Sequence, residues 1–475
     1  MAYRYGDRYQ MNLFPQSIED YVAPDDPVRA YDAFVESLDL AELGIAIDEN
    51  QVGNPEYEPR AMIKLLVYGY SYGIRSSRKL ERATYHNVSF IWLMGGLKPD
   101  HKTIARFRTD NKRALKNTLQ QCARLCIKLG LIEGNTLFVD GSKIRANASI
   151  ENTWTQEKCE RYLKNIDEQI ESILTECDDI DEQEQNNDSL VKLKEDLKNK
   201  EALQSKIQDI VKELKNQGLQ SINSTDPECV KMKGRQGTHS GYSGQIVVDE
   251  KHGLIINSDV VNDNNDRKQF AGQVEQAHEV LERPCQTACA DAGYANTDEL
   301  AKIDGQGITV IVPSQEQTSQ QNVEPFAKEQ FTHDSRNDCY VCPQGHRLPY
   351  SHFDKEKNMD VYSISNRNLC RSCEHFGLCT TSRNGRRIKR LHNEEIRNRL
   401  EANYTTKESQ AIFRLRKQRV ELPFGHIKRN LGVTAFLLRG LDGVNAEMSL
   451  LSSCFNMSRM ISIVGVPLLV AKLMS

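Results

Sequence analysis

The stretch Phe138-Val139-Asp140-Gly141-Ser142-Lys143-Ile144 decides the fold class. A short apolar run ends on a carboxylate, and a polar, turn-like segment follows at once. The pattern recurs at Thr287-Ala288-Cys289-Ala290-Asp291-Ala292-Gly293-Tyr294, and a third acid, Glu421, lies in a segment rich in Lys and Arg. Hard cations such as Mg²⁺ take oxygen ligands, and two such ions about 4 Å apart stabilise the attacking and leaving oxygens of a phosphoryl transfer. The three acids therefore indicate metal-dependent chemistry on nucleic acid.

Further short apolar runs predict an α/β domain around these acids. We expect strands at residues 136–140, 245–249, 254–261, 287–290 and 308–312. The segment 250–253 (Glu-Lys-His-Gly) has a turn composition that favours a hairpin between the second and third strands. A helix is expected over 267–281 and one or two helical turns over 298–303. Asp266 directly precedes the longer helix and is interpreted as its cap.

Residues up to about 135 have the apolar spacing of helices. One set with this spacing is Ile63, Leu66 and Tyr70, and another is Leu115, Leu119, Cys122, Cys126 and Leu129. The basic, serine-capped segment at 76–82 could present positive charge to a phosphate from a helix start. It could equally be an ordinary solvated helix face.

The bulk composition describes a globular chain of more than one domain. Its 475 residues predict two or three domains, and its hydrophobic fraction of 39% and charged fraction of 27% are typical of soluble proteins. The start of the chain lacks the apolar core of a signal peptide. The apolar tail at 460–474 is shorter than the ~20 residues of a membrane span. We therefore expect a buried tail and no membrane partner.

Charge is distributed unevenly along the chain. The formal net charge of −4 argues by itself against nucleic acid as a partner. Between Arg383 and Arg429, however, there are 14 Lys and Arg against 5 Asp and Glu, whereas acids outnumber bases between Asn152 and Ile222. Phosphate binding depends on local patches more than on the whole-chain sum. The segment around Glu421 is therefore a candidate nucleic-acid interface.

Two insertions interrupt the predicted α/β domain, and the first is helical. Residues 155–219 are rich in Glu, Lys, Gln and Asp, and a polar turn at 183–189 separates two apolar stripes. This pattern predicts a helical hairpin or short coiled coil, which is either a dimerisation arm or a surface insertion. The stripes consist of Ile166, Ile170, Ile173 and Leu174, and of Leu190, Leu193, Leu197, Ile207, Ile210 and Leu214.

The second insertion, at about 314–383, carries two Cys-x-x-Cys pairs. They are Cys339 with Cys342, and Cys370 with Cys373. Such pairs match tetrahedral Zn²⁺ because each brings two thiolates to one face of a tight turn. We predict a structural zinc on these four thiolates, with a redox role as the weaker alternative. Three reserve ligands are His346, His375 and Cys379.

The order Asp140, Asp291, Glu421 with these flanks resembles the DDE transposases of bacterial insertion sequences. The resemblance runs nearly the whole length. Its amino-terminal blocks are Asn54-Pro55-Glu56-Tyr57-Glu58-Pro59, Leu65-Leu66-Val67-Tyr68-Gly69-Tyr70, Ser76-Ser77-Arg78 and the segment Pro99-Asp100-His101-Lys102-Thr103-Ile104-Ala105-Arg106-Phe107-Arg108. Later blocks are Ala146-Asn147-Ala148-Ser149 and Arg439-Gly440. The implied fold class is α/β (α+β), with an RNase H-like mixed-sheet core and an all-α amino-terminal domain.

The resemblance also implies roles for individual residues. Asp140, Asp291 and Glu421 would be catalytic and would bind two Mg²⁺ or Mn²⁺ ions. Related transposases carry Tyr-x2-Arg-x3-Glu-x6-Lys around the glutamate. Here Lys428 keeps the last position, while Arg414 and Lys417 replace the tyrosine and arginine, and a lysine lacks the planar fork of an arginine. The residues expected to contact DNA are Arg78, Lys143, Arg414, Arg416, Lys417, Arg419, Lys428 and Arg429.

The implied function is that of a DNA transposase, an enzyme that binds terminal inverted repeats, cleaves phosphodiesters and joins the ends to target DNA. Its partners would be double-stranded DNA and, on that DNA, a second copy of the chain, in the bacterial cytoplasm with the nucleoid. Two alternatives remain open. One is a catalytically inactive or repurposed zinc-bearing DNA-binding protein, and the other is a nuclease without strand transfer.

The expected domain organisation follows from these assignments. A helical DNA-binding domain spans 1–134. The first part of the RNase H-like core spans 135–154 and 223–313, interrupted by the helical insertion at 155–222. A small zinc-ribbon-like insertion occupies 314–383, and core helices that carry Glu421 occupy 384–475.

Overall fold

The computed structural model describes residues 17–45, 56–182, 187–234, 237–318, 326–355, 359–391 and 393–475. The helices are α1 (Pro27–Glu36), α2 (Leu40–Leu43), α3 (Pro59–Ser71), α4 (Ser77–His86), α5 (Val88–Leu93), α6 (His101–Asp110), α7 (Lys112–Lys128), α8 (Gln156–Glu182), α9 (Asn187–Gln217), α10 (Phe270–Leu281), α11 (Thr297–Asp304), α12 (Gln315–Thr318), α13 (Arg367–Arg371), α14 (Glu394–Tyr404), α15 (Lys407–Gly425), α16 (Leu441–Val464) and α17 (Val466–Leu473). Asn54 and Pro55 of the first predicted block, and 183–186 of the predicted turn, lie outside the described residues.

The strands are β1 (Thr136–Arg145), β2 (Thr153–Thr155), β3 (Ser221–Asn223), β4 (Val230–Gly234), β5 (Gly237–Asp249), β6 (Ile255–Val261), β7 (Thr287–Cys289), β8 (Thr309–Ile311), β9 (Thr332–Asp334), β10 (Cys339–Val341), β11 (Arg347–Asp354), β12 (Met359–Ser363) and β13 (Arg387–Leu391). The chain divides into two compact units. The first comprises 1–266, 273–285 and 417–475, and the second comprises 267–272 and 286–416.

In the first unit, the amino-terminal helices pack around α16. Buried side chains occur along most of this helix, and they include apolar residues such as Leu450 and Phe455 and polar residues such as Asn445 and Ser452. It contacts α3, α7 and β6. The predicted apolar sets on α3 and α7 are buried except for Leu129, which is half-buried. The predicted burial of the tail holds for Leu469, whereas Leu468 is exposed.

The sheet of the first unit is built on β5, which pairs antiparallel with β1, β4 and β6. The β5–β6 pair confirms the predicted hairpin. Along β1 the register runs from Leu137 opposite Asp249 to Arg145 opposite Gly241. The turn expected directly after Asp140 is therefore wrong, because β5 supplies backbone partners that carry β1 on to Arg145.

Asp266 does not cap the helix that follows it. The helix α10 begins four residues later, at Phe270. The carboxylate of Asp266 instead accepts hydrogen bonds from Gln245 Nε2 (2.6 Å) and Ser243 Oγ (3.2 Å), both on β5. These tertiary partners lie more than twenty residues away, so the local sequence could not reveal them.

The first predicted insertion is a helical hairpin within the first unit. α8 and α9 contact each other, and the short β2–β3 pair closes their base with Trp154 opposite Ile222. Cys159, Ile166 and Ile207 are buried between the helices. Five residues of the predicted stripes pack in this core, namely Ile166, Ile170, Ile207, Ile210 and Leu214. Leu174 is 46% exposed, and the side chains of Leu190 and Leu193 lie outside the described part of the chain.

The second unit contains the parallel pair β7–β8 and a separate five-stranded antiparallel sheet. The strand order of that sheet is β13-β12-β11-β10-β9. Its core includes Tyr340, Leu348, Tyr362 and Ile388. The sheet continues through β13, past the expected end of the cysteine-rich insertion at 383, because Ile388 completes the apolar face.

No single described helix has both the length and the apolar content of a membrane span. Among the described residues, the pair of α16 and α17 meets both criteria together, and it is bent by 114°.

Candidate functional site

Asp140 lies where β1 leaves the core. The first four residues of the strand are buried and the next three are half-exposed, because the apolar run Leu137-Phe138-Val139 gives way to polar side chains. Asp140 stands opposite Ile246 of β5. Since side chains alternate across a strand, Asp140 and Ser142 share one face of β1.

A change of helix type at the end of α15 brings Lys428 to that face. Pro423 lies within α15 and has no backbone N–H, so one helical hydrogen bond is missing there. The chain then passes into a π-helix over His426–Asn430, a distortion that is frequent at functional sites. From this π-helix, Lys428 Nζ donates to Ser142 Oγ (2.5 Å) and to the carbonyl oxygen of Lys143 (3.3 Å). The Lys428 ammonium group therefore contacts β1 at Ser142 and Lys143, which follow Asp140 closely in the sequence.

Glu421 is exposed on α15, seven residues before Lys428. Seven helical residues rise by about 10 Å, so Glu421 lies about two turns from the lysine that contacts β1. Glu421 and Asp140 belong to the first unit, and Asp291 belongs to the second. Within the described ranges, no group of three or more His, Cys, Asp or Glu side chains is arranged to hold a metal ion.

A basic cleft of about 1000 Å³ opens beside Asp140. It is lined by cationic or titratable side chains from three strands and the π-helix, namely Lys143, Arg145, Lys233, His239 and Lys428. Among the described residues that line it there is no Asp or Glu. Burial, followed by the positive charges of Arg145, Lys143 and Lys428, lowers the pKa of His239 below its usual range. The cleft therefore carries a concentrated positive field.

Asp291 occupies the start of a 3-10 turn in the second unit. Its carboxylate accepts a hydrogen bond from the backbone N–H of Gly293 (2.8 Å), as expected of an acid before small, turn-permissive residues. Arg416 Nη2 lies 3.9 Å from the other carboxylate oxygen, and the same guanidinium lies over the Phe413 ring at 5.5 Å. Asp291 is thus held beside a cation while 42% of its side chain is exposed.

The remaining residues predicted to contact DNA are distributed over both units. Arg78, Arg414, Lys417 and Arg429 are exposed, and Arg416 and Arg419 are half-buried. Arg78 lies in the first turn of α4, whose cap position is Ser76 without a capping side-chain hydrogen bond. Each exposed cation of this set is therefore accessible to a phosphate.

The cysteine-rich part of the second unit gathers a different set of thiols from the predicted one. Cys342, Cys370, Cys373 and Cys379 line one cavity of about 30 Å³ together with His346 and His375. Cys339 is 3% exposed within β10 and does not line it. Tight turns place the thiols: Gly345 N–H donates to the carbonyl of Cys342 (2.8 Å) and Cys373 N–H to that of Cys370 (3.3 Å). Burial and then neighbouring thiols raise the pKa of Cys379, while Arg386 lowers it.

Sequence reasoning missed β4 and a buried ion pair. The run Val230-Lys231-Met232-Lys233 alternates apolar and basic residues, which is a strand signal that could have been found. The pair of Arg75 and Glu447 joins side chains 372 positions apart at 2.9 Å. No local pattern marks such a pair, and its role is to hold the loop that follows the π-helix.

Comparisons with known families match two parts of the chain. Residues 16–110 match the family described as Transposase domain (DUF772), and residues 341–461 match that described as Transposase DDE domain. The second match includes Glu421, Lys428 and the four cavity cysteines, and neither match includes Asp140 or Asp291. No curated protein and no solved structure matches the chain.

Proposed function

The two family matches support an insertion-sequence DDE transposase, and we propose that the chain binds the terminal inverted repeats of its element, cleaves phosphodiesters there and joins the ends to target DNA. One observation carries the proposal. Asp140 lies where β1 leaves the core, and the lysine that follows Glu421 by seven residues donates to that same strand. An acid beside a cationic cleft suits the handling of a phosphodiester.

In this proposal, Asp140, Asp291 and Glu421 are the acids that act on the scissile phosphate. The described residues contain no preassembled metal group, so the three roles rest on the order of the acids and on the family. DDE transposases normally use divalent metal, and two such ions would supply charge stabilisation to the attacking and leaving oxygens. Lys143 and Lys428 of the chain would bind the DNA backbone on either side of the reacting phosphate and limit the movement of that phosphate.

The RNase H-like assignment belongs to the same proposal. Its support is the order of elements: the antiparallel strands β1, β5 and β6, then α10, then the parallel pair β7–β8. A homodimer on DNA and a location with the bacterial nucleoid rest on the family resemblance alone.

Strand transfer is tested with purified chain, a labelled duplex from the end of the element, supercoiled target DNA and Mg²⁺ or Mn²⁺. We expect joined products from the unaltered chain, and none above background from Asp140→Asn, which keeps the shape of the side chain and removes its charge. The matched control is Asp209→Asn, an exposed acid on α9 whose partner is Lys212.

Each outcome of this assay assigns a function. Cut ends without joined products identify a nuclease and overturn strand transfer. Specific binding without cleavage identifies a repurposed DNA-binding protein. Equal products from Asp140→Asn and the unaltered chain would remove Asp140 from the chemistry.

We also propose that the cysteine cavity takes a structural zinc ion. The supporting observation is that four thiols line one small cavity, and four thiolates suit tetrahedral Zn²⁺. As described, these side chains do not form a group arranged for a metal, so binding would require rotation between staggered positions of the thiols. In this proposal Cys379 takes the place of the predicted Cys339, because Cys379 lines the cavity and Cys339 does not. The test is which cysteine must be kept for zinc to remain bound.

A further inference from the structure

The basic cleft beside Asp140 includes residues that no DDE motif accounts for. Lys233 and His239 belong to β4 and β5, which form a hairpin-like antiparallel pair with Lys233 opposite Thr238. Arg145 is the last residue of β1. Together with Lys143 and Lys428 they surround one open volume of about 1000 Å³. Cations from separate parts of the sequence therefore converge on one space.

The lysines of the cleft are oriented by backbone oxygens. Lys143 Nζ donates to the carbonyl of Lys233 (2.9 Å), and Lys428 Nζ donates to that of Lys143 (3.3 Å). A neutral carbonyl fixes the position of an ammonium group without cancelling its charge, and an ammonium has three donors. The Lys143 ammonium therefore keeps its charge while a backbone oxygen orients it.

The strands that line the cleft are closely packed. Gly141 and Gly234 are part of the lining, and a Cβ on Gly234 would lie 2.9 Å from the His239 ring. Close packing of β1 on β5 requires Gly241, because a Cβ there would lie 2.6 Å from the carbonyl oxygen of Ile144. The wall formed by β1, β4 and β5 is therefore closely packed and carries cationic side chains.

We propose that this cleft binds the sugar–phosphate backbone of the DNA strand whose scissile phosphate lies at Asp140, and that Lys233, Arg145 and His239 are part of that binding surface. The inference rests on the proposed function, since it takes DNA as the substrate. The cations converge on one volume without an acid among the described residues of its lining, and such a lining favours a polyanion over a neutral or cationic ligand. Contacts to phosphate carry no base information, so the cleft contributes affinity and register and leaves sequence choice to other parts of the chain.

The test compares two double variants of the full chain in fluorescence-anisotropy titrations with a labelled duplex, in EDTA, over a series of salt concentrations. Lys143→Ala/Lys233→Ala removes two cleft cations. Lys198→Ala/Lys206→Ala removes two exposed lysines of α9 and is the matched control. Each lost phosphate contact should lower the slope of log affinity against log salt by about 0.9. Over the range from about 1 M to about 0.1 M salt, the loss of two phosphate contacts should weaken DNA affinity at the lower salt concentration by up to about 60-fold.

We expect this loss for the cleft variant on both the element end and a scrambled duplex, and no change for the control. Circular dichroism melting verifies that each variant is folded. If the double variant is not folded, Lys233→Ala alone replaces it in the test, with an expected slope change of about 0.9. If the unaltered chain binds DNA and the folded cleft variant binds it equally well with the same slope, the cleft assignment is overturned while the proposed function stands. If the unaltered chain does not bind DNA at all, the proposed function itself fails. If the cleft variant binds an RNA duplex more weakly than the unaltered chain does but binds DNA equally well, the assignment is also overturned.

Discussion

Replacing Arg75 by Ala should destabilise the first unit and loosen the wall of the basic cleft. Arg75 Nη1 donates to Glu447 Oε1 (2.9 Å) and to the carbonyl of Ala435 (3.0 Å), and Nη2 donates to that of Gly432 (3.4 Å). Glu447 also accepts the backbone N–H groups of Leu437 (2.7 Å) and Leu438 (3.0 Å). This network fixes the loop between the π-helix and α16, a loop that lines the cleft through Val433 and Thr434.

The expected loss of stability follows from the burial of the pair. The Glu447 side chain is 0% exposed and that of Arg75 is 11% exposed, and removing one partner of a buried ion pair costs about 3–5 kcal/mol. The two backbone N–H donors that remain on Glu447 reduce the penalty, so we expect about 3 kcal/mol. In a thermal melt this corresponds to a fall on the order of 5 °C.

The destabilisation should depend on pH. Burial raises the pKa of Glu447 above its ordinary value of 4.5, although Leu438 N–H, Arg75 and Leu437 N–H lower it in part. A raised folded-state pKa means that the contribution of this carboxyl to stability is complete below the unfolded-state pKa and is lost as pH rises through the folded-state pKa. Without Arg75 the folded-state pKa rises further, so the effect of Arg75→Ala should be small in acid and largest near neutral pH.

The assay is thermal or denaturant unfolding of each variant at about pH 5 and about pH 8. The matched control is Arg106→Ala, which breaks an exposed arginine–aspartate pair with Asp110 (side chains 84% and 57% exposed) and should cost at most about 1 kcal/mol. The double variant Arg75→Ala/Glu447→Gln should be more stable than Arg75→Ala, because it also removes the buried negative charge of Glu447 that has lost its arginine partner. Equal losses for Arg75→Ala and Arg106→Ala, or a loss that does not change with pH, would refute the reasoning.

Two further predictions concern the inserted modules. Cys379→Ser should lose bound zinc, measured by elemental analysis of the purified chain, whereas Cys339→Ser should retain it because Cys339 does not line the cavity. The reverse result would support the ligand set expected from the Cys-x-x-Cys spacing. If the unaltered chain contains no zinc, the zinc proposal is wrong. Ile207→Ala, at a position 1% exposed between α8 and α9, should destabilise the hairpin by about 2–5 kcal/mol. Leu203→Ala on the same helix, at a position 40% exposed, should change the stability of the hairpin by less than about 0.5 kcal/mol. Similar urea midpoints for Ile207→Ala and Leu203→Ala would contradict the described packing of α8 against α9.

Local patterns in the sequence predicted most elements and misplaced their ends. The hairpin of β5 and β6 followed from apolar runs around a turn composition, and the α8–α9 hairpin followed from its two stripes. The end of β1 did not, because the extension from Asp140 to Arg145 depends on backbone partners in β5, about one hundred residues away. The same reason explains why Asp266 binds β5 and does not cap α10.

The sequence by itself determined the kinds of chemistry available to this protein: three acids in order, a basic segment around Glu421, two Cys-x-x-Cys pairs and a helical amino-terminal part. These are properties of side-chain type and short-range spacing. Tertiary structure alone decided which of those side chains share a space: Lys428 with β1, Lys233 with Lys143, Cys379 with Cys342, Cys370 and Cys373, and Arg75 with Glu447. Spacing along the chain fixes neighbours only within a helical turn or a strand, whereas distant groups meet through burial and backbone pairing that depend on the whole chain.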